Sequence, residues 1–235
     1  GTELTGRTLG VVGLGNIGSL VANMGLSLGM RVIGYDPAIS VEAAWRLSSD
    51  VEKMDNLTSL FSRADYISLH LPVLDATRGL ISDDLLANAR PDAVLLNFAR
   101  GEIVDTPAVL RALDEDRLHR YVTDFPSNES IGHPKVLQTP HIGASTGEAE
   151  ENCAIMVADQ VMDFLEHGNI RNSVNFPNIA LPRTTPVRLT ITNRNVPKVL
   201  NRITGVIADH DINIVDMLNK SREEVAYNII DLAAC

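Results

Sequence analysis

The sequence predicts an α/β chain: a doubly wound parallel sheet followed by a smaller, partial α+β module. Three observations predict this. Short apolar runs alternate with helical patterns through the first half, a glycine-rich turn directly follows the first run, and beyond a proline-interrupted stretch the order changes to strand, helix, strand, strand.

The runs Thr8 to Gly13, Val32 to Tyr35, Tyr66 to His70, Ala93 to Asn97 and Arg120 to Asp124 each read as a buried strand. Apolar strands separated by helices imply a parallel sheet covered on both faces. Between the first two, Ile17, Leu20, Val21, Met24 and Leu28 recur at helical spacing, so this stripe is expected to pack on the sheet. A long helix is expected from about Ser145 to His167, stopped by Gly168. Pro177, Pro182 and Pro186 then mark residues 169–186 as a linker between a cofactor-type domain (1–168) and a second unit (187–235). In that unit a strand (188–192), a helix (197–209) and two strands (212–220 and 225–232) open a ferredoxin-like βαββαβ order whose last helix and strand are missing.

Composition narrows the partners. With 235 residues and 45% hydrophobic side chains, the chain can bury a large core and a small companion. Thirty acidic against 20 basic residues, a net charge of −10, oppose contact with nucleic acid or an anionic membrane, so a small-molecule partner is expected. Cys153 and Cys235 are too few for a zinc cluster or a disulfide framework, so no metal is predicted and a cytoplasmic location fits. No run approaches the ~20 apolar residues of a membrane span, and no signal-peptide pattern opens the chain.

Gly13-Leu14-Gly15-Asn16-Ile17-Gly18 lies between a strand and a helix, the context of a dinucleotide-binding, Rossmann-type turn. The glycines permit the tight bend, the approach of a pyrophosphate and close helix packing, while the helix N-terminus faces the phosphates. Asp36 follows 18 residues after Gly18, flanked by Tyr35 and Pro37, where a carboxylate accepts hydrogen bonds from both ribose hydroxyls and repels a 2′-phosphate. No Arg or Lys occurs in Pro37-Ala38-Ile39-Ser40, which favours NAD over NADP.

Three more segments follow strand ends: His70-Leu71-Pro72 with Thr77, Asn97-Phe98-Ala99-Arg100-Gly101, and Thr139-Pro140-His141-Ile142-Gly143-Ala144. Interconverting a 2-keto and a 2-hydroxy acid needs a cation for the carboxylate and an acid–base group for the oxygen. Arg100 suits the first task through its guanidinium fork, and His141 the second. A carboxylate beside the His would stabilise its charged form, and Glu129 is the candidate.

Together these segments resemble the D-isomer-specific 2-hydroxyacid dehydrogenases, over Gly1 to about Pro177. The resemblance implies a catalytic set of Arg100, Glu129 and His141, and places the nicotinamide carboxamide on Asp124. It implies a cofactor site completed by His70, Leu71, Pro72, Thr77, Phe98, Ala99, Gly143 and Ala144. This chain reads Asp124-Phe125-Pro126-Ser127-Asn128-Glu129 where the family commonly has Asp-Val-Phe before its Glu.

The segment Arg194-Asn195-Val196-Pro197, with Ile212-Asn213-Ile214, resembles a partial ACT domain. That likeness implies L-serine as effector at Asn195 and Asn213, although Asn193 stands where a His is usual; a domain used only for oligomer contacts is the alternative. The implied reaction is oxidation of 3-phospho-D-glycerate to 3-phosphohydroxypyruvate, the entry to serine biosynthesis, by a homo-oligomer. The alternatives are a hydroxypyruvate or glyoxylate reductase of the same family, and a non-catalytic NAD(H)-binding fragment or co-repressor-like module. Both ends look truncated relative to the family, which is expected to begin about a hundred residues earlier with part of a substrate lobe.

Overall fold

The computed structural model describes residues 2–143 and 145–233. Contacts divide the chain into two compact units, Gly1–His141 and Ile142–Cys235.

The first unit runs β1 (Thr8–Val12), α1 (Asn16–Ser27), β2 (Arg31–Tyr35), α2 (Val41–Arg46), β3 (Glu52–Lys53), α3 (Leu57–Arg63), β4 (Tyr66–Leu69), α4 (Asp83–Leu86), β5 (Val94–Asn97), α5 (Thr106–Asp114), β6 (Arg120–Thr123) and β7 (Val136–Gln138). Its seven strands lie in the order β3-β2-β1-β4-β5-β6-β7, and every pairing is parallel. This is a Rossmann-type α/β sheet. The five expected strands are present, while β3 and β7, short and not buried, are additions. Helix starts follow local chemistry: Ser40, Asn56 and Asp105 each accept a hydrogen bond from the N–H three residues on. The main core, including Phe61, Ile67, Leu69, Leu95 and Leu113, packs α3, α4 and α5 against the central strands.

The other face corrects one expectation. Of the expected stripe, Val21 packs against the core under this face, but Ile17, Leu20, Met24 and Leu28 do not; each of these four side chains is more than half exposed. The buried residues of α1 are Gly18, Ser19, Ala22 and Gly25. Close approach is the reason: a Cβ on Gly25 would stand 2.7 Å from Leu9 Cδ2, so small residues are required at the closest points between helix and sheet.

The second unit contains α6 (Gly147–His167), β8 (Val187–Arg194), α7 (Val199–Asp209), β9 (Ile214–Arg222) and β10 (Val225–Leu232). Thr146 caps α6, and Gly168, at φ 70°, stops it as expected. No residue of α6 is buried. The three strands form an antiparallel sheet in the order β8-β10-β9. One face carries Ile230 and Leu232, packed with Ile203 and Ile207 of α7. On the other, Tyr227 and Ile229 meet Ile170 and Ile179.

Residues 169–186 are therefore more than a connector. Ile170 and Ile179 exchange two backbone hydrogen bonds, and both side chains are buried. By contacts the chain divides after His141, so α6 and this segment fall with the second unit, whereas the expected first boundary lay at 168. Arg188 and Asp231, 4% and 0% exposed, form a two-pronged ion pair, and Arg188 also donates to the carbonyls of His167 and Leu181. That pairing lowers the Asp231 carboxyl below its ordinary range.

Candidate functional site

In this strand order the chain reverses direction across the sheet at β1, with β2 on one side and β4 on the other. Ligands of open parallel sheets bind outside the carboxyl ends of strands at such a point. The glycine-rich turn lies there. Gly13 sits at φ 88°, and its N–H donates to the Tyr35 carbonyl at the end of β2. A Cβ on Gly18 would lie 1.8 Å from the Gly13 carbonyl oxygen, so the helix can press against the turn only with glycine there.

Gly15 caps α1 without any side-chain hydrogen bond. Among the described hydrogen bonds, the amides of Gly15, Asn16, Ile17 and Gly18 have no partner, which leaves the positive helix end available to an anion. Asp36 is tied to the same turn. Its Oδ2 accepts from Leu14 N–H at 2.8 Å, and its Oδ1 from Ala38 N–H at 2.9 Å, just past Pro37.

Facing this turn is a cavity of about 390 Å³ lined by Gly15, Asn16, Ile17, His70, Leu71, Pro72, Val73, Phe98, Ala99 and Arg100. Segments after β1, β4 and β5 thus line one cleft, while His141 and the rest of the third expected segment are not in its lining. Thr77 lies outside that lining; its hydroxyl donates to the Pro72 carbonyl and accepts from Leu74 N–H, bracing the loop. His70 is held from behind by Ser68 Oγ at 2.8 Å from Nε2. Burial pushes its imidazole down to about 4, so the ring lines the cleft as a neutral group near pH 7.

Arg100 is exposed in the cleft, just before a single 3₁₀ turn at Gly101–Ile103. Its Nη1 donates to the Ala99 carbonyl at 2.7 Å. The loop is shaped by fully buried Asn97, which accepts from Ala99 N–H, donates to the Arg100 carbonyl and reaches the Tyr121 hydroxyl. Asn97, Tyr121 and Ser68 support the site without having been predicted for it. Only Asn97 carried a sequence signal, through its place in the Asn-x-Ala-Arg-Gly motif.

His141 meets a different carboxylate from the one expected. Its Nδ1 lies 2.8 Å from Asp124 Oδ2, and its ring packs on Phe125 with centroids 4.6 Å apart. Glu129 is exposed in a turn closed by Ser127 and Ser130, and among the described hydrogen bonds it makes none to His141. Asp124 closes the reach because it follows β6 directly, whereas Glu129 is carried off by the turn. Gly143, at φ 55°, belongs to the second unit, and Ala144 lies outside the described residues. Asn195 donates to the Glu223 carbonyl at the β9–β10 turn, and Asn213 accepts through its carbonyl from Ala233 N–H; no described hydrogen bond joins the two. Among the described residues no group of His, Cys, Asp and Glu could hold a metal ion, and no helix is long and apolar enough to cross a membrane.

Comparison with known proteins identifies the fold and family. Residues 1–143 match the family model of the D-isomer specific 2-hydroxyacid dehydrogenase, NAD binding domain. The chain is 32% identical to a putative D-3-phosphoglycerate dehydrogenase of Schizosaccharomyces pombe, over 99% of this chain and 54% of that protein. It is 33% identical to the D-3-phosphoglycerate dehydrogenase of Haemophilus influenzae, over 98% and 58%. The chain thus spans about half the length of the curated relatives it matches. Among solved structures, a glyoxylate reductase from Paecilomyes thermophila superposes with a TM-score of 0.65 at 26% identity, over 74% of this chain and 54% of that one. With the family model covering most of the sequence, the chain belongs to the D-isomer specific 2-hydroxyacid dehydrogenase family, and NAD is the cofactor of its matched domain.

Proposed function

We propose that this chain carries the cofactor half of an enzyme that oxidises 3-phospho-D-glycerate to 3-phosphohydroxypyruvate with NAD, the entry to L-serine biosynthesis. The observation that carries the reading is the single cleft in which Gly15, Asn16 and Ile17 face Arg100 across His70 and Pro72. The names of relatives that align along nearly the whole chain support the phosphorylated substrate.

The residues present fit a dinucleotide. Unpaired amides at the start of α1 and the glycine bend suit a pyrophosphate, and Asp36 suits a ribose diol. Tyr35, Pro37, Leu71, Thr77, Phe98, Ala99, Asp124, Gly143 and Ala144 complete this assignment. When bound, NAD supplies the acceptor for the hydride that leaves C2 of the substrate. Arg100 binds the substrate carboxylate through its guanidinium fork. His141 takes the hydroxyl proton in oxidation and returns it in reduction. Leu71, Pro72, Val73 and Phe98 give the cleft an apolar wall beside Arg100.

The small antiparallel unit is assigned as a partial ACT domain, with L-serine as effector at Asn195 and Asn213, and the protein as a homo-oligomer. A second reading, reduction of hydroxypyruvate or glyoxylate, is favoured by the likeness to a glyoxylate reductase. Assaying the full-length protein with phosphorylated and unphosphorylated 2-hydroxy acids separates the two. Replacing His141 with Ala is expected to abolish turnover while NAD still binds; unchanged turnover overturns the assignment.

A further inference from the structure

The glycine-rich bend is short of positive charge. From Gly13 to Met30 the chain carries no charged side chain. Arg100 is the cation in the lining of the adjoining cavity, and it is assigned to the substrate carboxylate; His70, in the same lining, is neutral near pH 7. A pyrophosphate brings two negative charges to a chain whose own net charge is −10, and a helix end answers with only about half an elementary charge. We propose that Arg46, at the end of α2, supplies the missing charge and draws the pyrophosphate of NAD to the bend from beside Asn16. This role rests on NAD being the ligand of the cleft, though not on which 2-hydroxy acid is the substrate.

Two contacts carry it. Arg46 Nη2 donates to Asn16 Oδ1 at 2.7 Å. Asn16 is the first residue of α1, lines the cavity, and has one of the amides that find no partner among the described hydrogen bonds. The guanidinium therefore stands one side chain away from the place prepared for an anion. The second contact fixes where the arginine starts. Asn23 Nδ2 donates to the Arg46 carbonyl at 2.9 Å, and Asn23 Oδ1 accepts from Ser48 N–H at 3.0 Å, so one half-buried amide clamps the end of α2 onto α1. Asn23 lies two turns, about 10 Å, beyond Asn16 along the helix. From that clamp the Arg46 side chain runs back toward the helix N-terminus, and both ends of its path are held by protein groups before any ligand arrives.

Charge, rather than one more hydrogen bond, is what Arg46 adds. Water or any neutral donor would satisfy Asn16 Oδ1 equally well. A guanidinium a few ångströms from a doubly charged group acts through its field, and at an exposed site that field is screened by salt. Arg46 also lies in the last turn of α2, where a cation favours its own helix. A role confined to that helix would lower stability without ligand and leave NAD affinity untouched.

Calorimetric titration of the native chain and its variants with NAD, at two salt concentrations, separates these roles. Arg46→Gln keeps a donor for Asn16 and removes the charge. It is expected to weaken binding about threefold to tenfold at about 20 mM salt, and less than about twofold at about 0.5 M. Arg46→Met, which has no donor, is expected to match it, while Arg46→Lys, which keeps the charge, is expected to bind within about twofold of native. Arg120→Gln removes the same charge at the amino end of β6, away from the cleft, and is expected to leave affinity within about twofold.

Native affinity in Arg46→Gln at low salt overturns the proposal. So does a loss that persists undiminished at high salt, an Arg46→Lys variant as weak as Arg46→Gln, or an equal loss in Arg120→Gln. If the native chain binds NAD and Arg46→Gln binds it equally, the cofactor assignment stands and the role of Arg46 alone falls. If the native chain binds no NAD, the cofactor assignment falls and takes that role with it.

Discussion

His70 makes the stability of the first unit fall with acid in a defined window. Burial moves its imidazole from 6.5 to about 4, with Ser68 Oγ on its Nε2. As pH drops below the unfolded value, the unfolded ring takes a proton that the folded ring refuses. Stability from this residue is therefore intact above that value and is lost progressively down to about 4. At about 1.4 kcal/mol per unit, the gap is worth about 3 kcal/mol when complete and about 2 kcal/mol by pH 5. The assay is urea unfolding followed by far-ultraviolet circular dichroism at about pH 7.5 and about pH 5, for the native chain and His70→Gln. The native chain is expected to lose about 2 kcal/mol more than the variant between the two conditions. Equal losses would show that the ring is solvated in the folded state, and the account of a neutral cleft wall would fail.

Three further outcomes are expected. Gly18→Ala drives a methyl group into the Gly13 carbonyl, so it should cost about 1–3 kcal/mol and weaken NAD binding measured by calorimetry. Asp231→Ala strands the buried Arg188 charge and should destabilise the second unit by about 3–5 kcal/mol, read as faster hydrogen exchange across β10 with β1 and β4 unchanged. Leu20→Lys on the exposed side of α1 should alter thermal stability by less than about 0.5 kcal/mol, whereas Ala22→Leu on its buried side should cost about 1–3 kcal/mol.

The parallel sheet was legible because buried parallel strands are apolar on both faces; Leu9 to Val12 or Ile67 to Leu69 read as strands without any tertiary knowledge. Strands β3 and β7 escaped because two or three partly exposed residues carry no period. The face of α1 was only partly legible, with Val21 packed on the core and the other four residues of the stripe exposed, for a related reason. Hydrophobic periodicity weights Leu, Met and Ile, while the contact with Leu9 and Val32 is made by glycine and alanine, whose virtue is small size. His70 and Arg100 line one cleft because they follow β4 and β5, which pair side by side in the sheet. The partner of His141 was hidden: choosing between Asp124 and Glu129 depends on which way the chain turns after β6, and that is set by Thr123, Ser127 and Ser130 acting across the bend. Likewise, prolines in 169–186 signal irregular backbone but not the burial of Ile170 and Ile179.

Asp36 spends both carboxylate oxygens on main-chain amides, one in the glycine-rich bend and one just beyond β2. It is thus a splint between two loops as well as the residue proposed to select the adenosine ribose. Re-engineering the chain toward the phosphorylated dinucleotide by swapping this aspartate for a neutral or cationic residue would also cut the brace between Leu14 and Ala38. A successful redesign has to supply a substitute acceptor for those two N–H groups, or the bend that cradles the pyrophosphate loosens along with the change in preference.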